Sequence, residues 1–477
     1  MVASTLFSRE QLTENIHAAL KAWHGISGNA ENLLESLRLI QLRRSSLASN
    51  ETPSYKRLAT NELLLSGIDT LEAHDQTGAQ VLRLRFQENK KIIAVANMLN
   101  VSEHTVSRIQ KAAIVQLSQI IYDQEMTLRE QQAQELEAHL PPSEYTHLFG
   151  VKGAKTNLVA HLLQAGAPWV VSVVGIGGIG KTSLADAVTR QVIREFVFEK
   201  VIWLRTESQT MNGRSPSHER TYETIITDLT QQLCPEIATP MPTEQRVVCV
   251  RQALKIHPYL VIIDNLEMDT SHLLAHLNDL ANPSKFLLTS RTRPTKQAHS
   301  FNFSLNELSL VDATDLIRHH AREIGVSALA EADSNDIATI YNLTGGNPLA
   351  LRLVVSLLDV LPLPQILDDL SLGRQKAVED LYKHIYWQTW QILSQEARDL
   401  LQAMPLVSET GGLPDYLQEI SGLSADQFWP AIQELRKRSL LEVRGTIHKK
   451  QYGIHRLTET FLRTEIVHWP EVPAASD

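Results

Sequence analysis

Apolar positions along this chain change their spacing twice. Up to about residue 140 they recur at helical intervals, and "ENLLESLRLIQL" sets Leu33, Leu34, Leu37 and Ile40 on one face, which reads as a packing face. From Phe149 to about Ser300 they gather into short continuous runs, "WVVSVVG", "KVIWLRT", "YLVIIDN" and "KFLLTS". Helical stretches such as "KTSLADAVTRQVI" and "TYETIITDLTQQL" separate these runs. Continuous apolar runs between helices predict a parallel sheet covered on both faces. From about 301 to 466 the spacing is helical again, and no internal repeat emerges. The pattern predicts a multidomain chain with an all-α N-terminal part, a central α/β domain and a helical C-terminal part.

The stretch from Asp123 to Leu140, "DQEMTLREQQAQELEAHL", is polar and acidic and stops at Pro141-Pro142. It predicts a solvated connecting helix ended by the prolines; a short coiled coil is the alternative, with few heptads to sustain it. A chain of 477 residues exceeds one core and suggests roughly three or four domains. Apolar residues at 43% and charged residues at 21% exclude wholesale disorder. The net charge of −9 argues against a nucleic-acid coat but leaves room for a local basic face. Two cysteines, Cys234 and Cys249, give no readable disulfide framework, so a reducing cytoplasm fits. The start "MVASTLFSREQLTENI" lacks the features of a signal peptide, and "PWVVSVVG" is too short to span a bilayer. A cytoplasmic protein with no membrane partner is the expectation from these absences.

The run "SVV" ends a strand and leads into Gly175, Gly180, Lys181 and Thr182 at the spacing G-x-x-x-x-G-K-T, followed by a helical pattern. Glycines let backbone N–H groups turn inward around phosphate oxygens, and the helix that starts here points its positive end at the same anions. Lys181 brings a full charge to the β- and γ-phosphates, and the Thr182 hydroxyl can ligate magnesium. A glycine-rich turn is the plain alternative. The string Gly175, Gly177, Gly178, Ile179, Gly180, Lys181, Thr182 and Ser183 is therefore the candidate phosphate loop. A metal also needs a carboxylate on another strand tip, and "YLVIIDNLE" supplies Asp264. The next residue, Asn265, cannot accept a proton as a hydrolytic base; Glu267 is the nearest substitute. "FLLTSRTR" brings Thr289 and Arg291 to a third strand end, where ligands sit in open α/β sheets. Arg291 is a candidate γ-phosphate sensor, with a loop arginine as its alternative reading. Lys181, Asp264 and Arg291 form the candidate catalytic set, and Thr182 and Asp264 the metal pair.

Taken in order, these segments resemble the NB-ARC class of STAND signal-transduction ATPases over about residues 147–466. "HLFGVKG", with Phe149 and Gly150, looks like that family's adenine-side loop, and "VIWLRT" resembles its second strand with Trp203. "LTGGNPLALRLV" resembles its Gly-x-Pro segment, with Pro348 near the base. "RSLLEVRG…YGIHRLTETFL" resembles the end of a winged helix, with His455 at the histidine that touches the β-phosphate of ADP. Asn265 departs from the second acid common in plant members, which puts turnover in doubt but not binding. The resemblance implies ATP or ADP with Mg2+, slow hydrolysis at most, and a lid held closed by His455 with ADP. It also implies self-association in the ATP state. The family's repeat sensor is missing after the winged helix, which implies a separate sensor or effector partner, or a shortened form.

"RLRFQENKKIIAVANMLNVSEHTVSRIQKAAIVQL", 83–117, reads as helix, turn, helix, with the turn at Leu99-Asn100-Val101 and Ser102 as the next N-cap. Ala94 and Ala96 suit close helix contact, and Val106, Ile109 and Ala113 face inward. His104, Thr105, Arg108 and Lys111 face outward as the DNA-binding candidates. Six basic residues (Arg83, Arg85, Lys90, Lys91, Arg108, Lys111) against Glu88 and Glu103 give this stretch a net charge of +4. It resembles the sigma-factor-type DNA-binding helix-turn-helix, with a helical hairpin for protein contacts as the alternative.

The expected domains are an N-terminal helical segment (1–50), the helix-turn-helix (51–122), a polar linker helix (123–146) and the P-loop domain (147–300). A helical domain (301–375), a winged helix (376–468) and a flexible tail (469–477) follow. The functional expectation is a nucleotide-gated regulator with a DNA-binding head. The alternatives are a bacterial defence or death-type switch whose N-terminal helices recruit an effector, and an ATPase with steady turnover.

Overall fold

Ser8 and Gln11 form a reciprocal capping box that starts helix α1 (Arg9–Lys21), whose inner face buries Leu12, Ile16, Ala19 and Leu20. The computed structural model describes residues 8–24, 33–46, 53–143, 145–206, 218–236, 241–266, 271–291, 299–326, 329, 333–366, 383, 386–387, 389–407, 411–445, 449–454 and 456–467. They divide into two units, Met1–Glu135 and Leu136–Asp477.

In the first unit, α2 (Arg38–Ser46) and α3 (Pro53–Glu72) join α1. Leu34, Leu37 and Ile40 pack with Leu12, Ile16, Leu63, Leu64 and Ile68, and with Leu117 and Ile121 further along the chain. The expected separate segment 1–50 and the helix-turn-helix thus share one core. A buried carboxylate fixes this joint: Glu125 accepts hydrogen bonds from the backbone N–H groups of Arg38 (2.9 Å) and Leu39 (3.0 Å), capping α2, and pairs with Arg129. Helix α4 (Gln76–Leu82) runs into a single π-turn (Arg83–Gln87), and α5 (Ile92–Leu99) closes on Asn100 in the left-handed region at φ 53°. Helix α6 (Glu103–Glu137) is continuous for 35 residues, so the polar stretch from Asp123 extends it instead of forming a linker helix of its own.

The second unit is built on the expected parallel sheet. Helix α7 (Lys152–Leu163) precedes β1 (Val170–Val174) and α8 (Lys181–Ile193); β2 (Lys200–Arg205), α9 (His218–Leu233) and α10 (Thr243–Ile256) come next. Then follow β3 (Tyr259–Leu266), α11 (Ser271–Leu280), β4 (Lys285–Ser290) and β5 (Ser300–Ser304). The strand order is β2-β3-β4-β1-β5, parallel throughout. β5, "SFNFS", was not foreseen: it is an edge strand with no fully buried residue, so its run is not apolar. The cysteines also depart from expectation. Cys234, just past α9, and Cys249 in α10 are joined by a disulfide with Cα atoms 6.8 Å apart, because the two helices pack side by side.

Beyond the sheet lie α12 (Leu310–Ile324), α13 (Ser334–Thr344) and α14 (Pro348–Leu357). Helices α15 (Gln395–Ala403), α16 (Pro414–Ser421) and α17 (Ala425–Lys437) follow, then the antiparallel hairpin β6 (Glu442–Gly445) and β7 (Lys450–Gly453), and α18 (Arg456–Phe461). The two helical regions share one apolar core, with Ile317 and Val354 in the same cluster as Phe428, Leu435 and Tyr452. A buried polar knot ties them together. His320 Nε2 lies 3.0 Å from Ser439 Oγ and 3.4 Å from Ser356 Oγ, and at the surface Lys437 pairs with Asp359 at 2.7 Å. Ser439 itself adopts φ 57°, a left-handed position that few side chains take. Burial, reinforced by Arg352, pushes the His320 pKa down to about 4.

Candidate functional site

The loop between β1 and α8 turns inward at the carboxyl edge of the sheet. Gly180 sits at φ 97°, a conformation that a side chain would strain. A Cβ on Gly175 would come within 2.9 Å of the Leu305 carbonyl oxygen. Lys181 opens α8 and its ammonium donates to the carbonyls of Gly175 and Ile176, both at 2.9 Å. Ile179 is buried, and Gly177, Gly178, Thr182 and Ser183 are half-buried along the same turn.

Because β4 lies between β1 and β3, the tip of β3 comes level with this loop. Asp264 is fully buried there. Its Oδ1 accepts hydrogen bonds from Thr182 Oγ1 at 2.9 Å and Thr289 Oγ1 at 2.5 Å. Its Oδ2 is buried with no hydrogen-bond partner among the described residues. A buried carboxylate oxygen left unpaired is costly and calls for a cation. The donor set, one carboxylate and one hydroxyl beside a phosphate-type loop, fits a magnesium ion that takes its remaining ligands from phosphate and water. Strand β3 bulges between Ile263 and Leu266, and Asn265 occupies the bulge at φ 70°. Asparagine is among the few side chains that tolerate this left-handed position. The Asn265 N–H donates to Thr289 Oγ1 at 2.8 Å, and the Thr206 hydroxyl donates to the carbonyls of Asp264 and Asn265. Arg291 follows β4 directly and is half-buried. Glu267 and His455 lie outside the described residues.

Two groups that the sequence did not single out hold the loop from the helical side. Asn347 Nδ2 donates to the Gly177 carbonyl at 3.0 Å, and the Leu349 N–H donates to that of Gly178 at 3.3 Å. Asn347 also caps α14, where Pro348 takes the first helical position. The contact to the loop therefore runs through the neighbours of Pro348. The only signal was an Asn-Pro dipeptide of the kind that starts many helices.

On the opposite flank, Tyr145 donates to Asp186 on α8 at 2.8 Å; burial first, then the carboxylate, pushes its phenol up to about 12. This anchors the segment leading to Phe149, whose ring lies 4.7 Å from His147 and 5.4 Å from His319 of α12. Gly150 packs against Leu308 and Asp312, at φ 66°. His147 and His319 add a flat-faced aromatic cluster that sequence spacing did not reveal.

In the helix-turn-helix, Val106 and Ala113 are buried as expected and Ile109 is half-buried. Ala94 is exposed, so only Ala96 makes the close contact. His104, Arg108 and Lys111 are exposed on α6, while Thr105 is half-buried with its N–H on the Ser102 cap oxygen at 3.1 Å. The basic count overstates the free charge of this face. Arg83 is bound to Asp69 (2.6 Å) and Glu72 (2.7 Å), Arg85 is held by Gln110 and the Lys90 carbonyl, and Lys90 pairs with Glu88.

Residues 151–322 match the NB-ARC domain, and residues 75–119 match region 4 of sigma-70. An uncharacterized WD repeat-containing protein of Nostoc sp. is 24% identical over 294 residues, covering 57% of this chain and 23% of that protein. Disease resistance protein RPH8A of Arabidopsis thaliana is 28% identical over 145 residues, covering 30% of this chain and 15% of that protein. The chain thus matches less than a quarter of the length of these relatives. Among solved structures, a Signal Transduction ATPase with Numerous Domains from Pyrococcus horikoshii, carrying a tetratricopeptide repeat sensor, aligns over 68% of this chain and 43% of that one. The TM-score is 0.45 and the identity 18%. Among the described residues, no helix is long and apolar enough to cross a membrane.

Proposed function

We infer that this chain, an NB-ARC-type STAND P-loop ATPase with a sigma-70 region 4 helix-turn-helix, is a switch set by ATP or ADP whose N-terminal unit engages DNA. The loop 175–183 wraps the phosphates through its backbone N–H groups, and Lys181 turns from the loop carbonyls onto them. Thr182 and Asp264 hold Mg2+, which screens the charge of the polyphosphate. Arg291 responds to the γ-phosphate, His455 contacts the β-phosphate of ADP, and Phe149 with Gly150 lies on the adenine side. The observation that carries the reading is the pair of hydrogen bonds from Asn347 and Leu349 to Gly177 and Gly178. Through them, a change in the phosphate loop acts directly on the start of α14, and α14 shares its core with the C-terminal helices. Moving such an equilibrium almost fully from one shape to the other takes about 5 kcal/mol of differential affinity. Charge-assisted contacts to a γ-phosphate are of the strength required.

Turnover in this scheme is slow, with an amide at position 265, and the ATP form self-associates under the control of a sensor or effector partner. The test is direct. Lys181→Ala should lose both ATP and ADP on purification, and light scattering of the wild type should give a larger particle with ATP than with ADP. A Lys181→Ala protein that still copurifies with nucleotide contradicts the reading.

A second reading, recruitment of a protein effector by the N-terminal helices, is favoured by α5, which exposes Ile93 (57%) and Met98 (55%). Duplex binding that falls steeply with salt supports DNA; no binding, with capture of a protein abolished by Ile93→Ser and Met98→Ser, supports the effector.

A further inference from the structure

Arg205 ends β2 directly opposite Asp264 in the register of the sheet. Its Nε lies 3.9 Å from Asp264 Oδ2, the carboxylate oxygen that the two threonine hydroxyls leave unpaired. That separation is too long for a hydrogen bond and short enough for a Coulomb contact that solvent partly screens. The Arg205 side chain is 41% exposed and the Asp264 side chain fully buried, so the guanidinium reaches inward from the solvent edge toward a charge that cannot move. Lys181, at the start of α8, donates to the carbonyls of Gly175 and Ile176. Thr206 fixes the end of β2 to the end of β3 through its bonds to the Asp264 and Asn265 carbonyls, which keeps Arg205 beside the carboxylate.

We propose that Arg205 is a built-in substitute for the metal at Asp264, a positioning residue that sets how strongly nucleotide binding depends on Mg2+. This rests on the nucleotide reading above. A divalent cation and the guanidinium compete for Asp264 Oδ2, so the arginine weakens binding of the metal–nucleotide complex. When nucleotide binds without metal, the same guanidinium offsets the negative charge that Asp264 presents to the phosphates. Arg205 therefore acts with opposite sign on the two forms of the ligand. A residue that merely supported the fold, or one that touched phosphate directly, would act with the same sign on both.

The experiment is a titration of full-length protein with fluorescent ADP, in excess magnesium and in excess EDTA, for the wild type, Arg205→Gln and Arg205→Lys. Arg205→Gln is expected to tighten binding in magnesium and weaken it in EDTA, each by about fivefold, the scale of one partly screened charge contact. Arg205→Lys keeps the charge and is expected to stay within about twofold of the wild type in EDTA. Thermal unfolding of each variant checks that the fold is intact. Weaker binding of Arg205→Gln in both arms makes Arg205 a direct phosphate contact and overturns the proposal, as does no change in either arm. A wild type that binds in neither arm removes the nucleotide reading itself, whereas a wild type that binds while the two arms fail to diverge removes only the role of Arg205.

Discussion

The buried polar clusters of the second unit and the exposed face of the helix-turn-helix place charge in opposite ways. Around Asp264, Asn347 and His320 buried side chains are held by hydrogen bonds to neighbouring elements, with Asp264 Oδ2 left over, so each side chain has essentially one position. On α6, His104, Arg108 and Lys111 stand in solvent, while nearby Arg83 is already committed to acids of its own unit and Arg85 to Gln110 and a backbone carbonyl. Buried clusters fix geometry and respond sharply to a single added charge. An exposed face offers adaptable charge to a partner that supplies the geometry, as a phosphate backbone does. In the proposed switch the first region senses and the second docks.

The contrast can be broken first at His320. Its folded pKa is lowered to about 4, while the unfolded chain takes up a proton near the usual imidazole value of 6.5. Stability is therefore intact above that value and falls as pH drops through the window down to about 4, by on the order of 3 kcal/mol. Denaturant melts across this range should show the slope, and His320→Gln should flatten it relative to the wild type. Next, Asp264→Ala should weaken magnesium-dependent ADP binding by about a hundredfold in calorimetry, with duplex affinity unchanged. Asn347→Ala removes both a helix cap and the bond to Gly177, and should cost about 1–2 kcal/mol in thermal unfolding while lowering nucleotide affinity. On the exposed side, Arg108→Ala with Lys111→Ala should leave stability alone and reduce the salt slope of duplex binding by about 2. The smallest effect belongs to Arg83→Ala: its guanidinium is bound to Asp69 and Glu72, so duplex affinity should stay within about twofold of the wild type. A large loss there would mean that the basic count along the chain was the better guide.

What could be read from the sequence was what is local. The phosphate loop is one contiguous string whose backbone needs are written in its glycines, and Asp264 ends an apolar run with an obvious boundary. The helix-turn-helix was legible for the same reason, with Asn100 and Ser102 marking the stop and the start. The rest depends on which strands lie side by side. Arg205 meets Asp264 because β2 and β3 are neighbours in register, and Asn347 meets Gly177 across 170 positions of sequence. The Arg83 pairs reach back to α3, so summing charge over 83–117 could not find them. β5 was hidden by its alternating serine and asparagine, and the cysteine pair by the packing of α9 on α10.

The kink in β3 has a consequence for redesign. Writing glutamate at position 265 to install a hydrolytic base would force a long acidic side chain into a left-handed backbone geometry, at roughly 1–2 kcal/mol. A glutamate at position 265 would therefore place backbone strain next to Asp264, the proposed metal carboxylate.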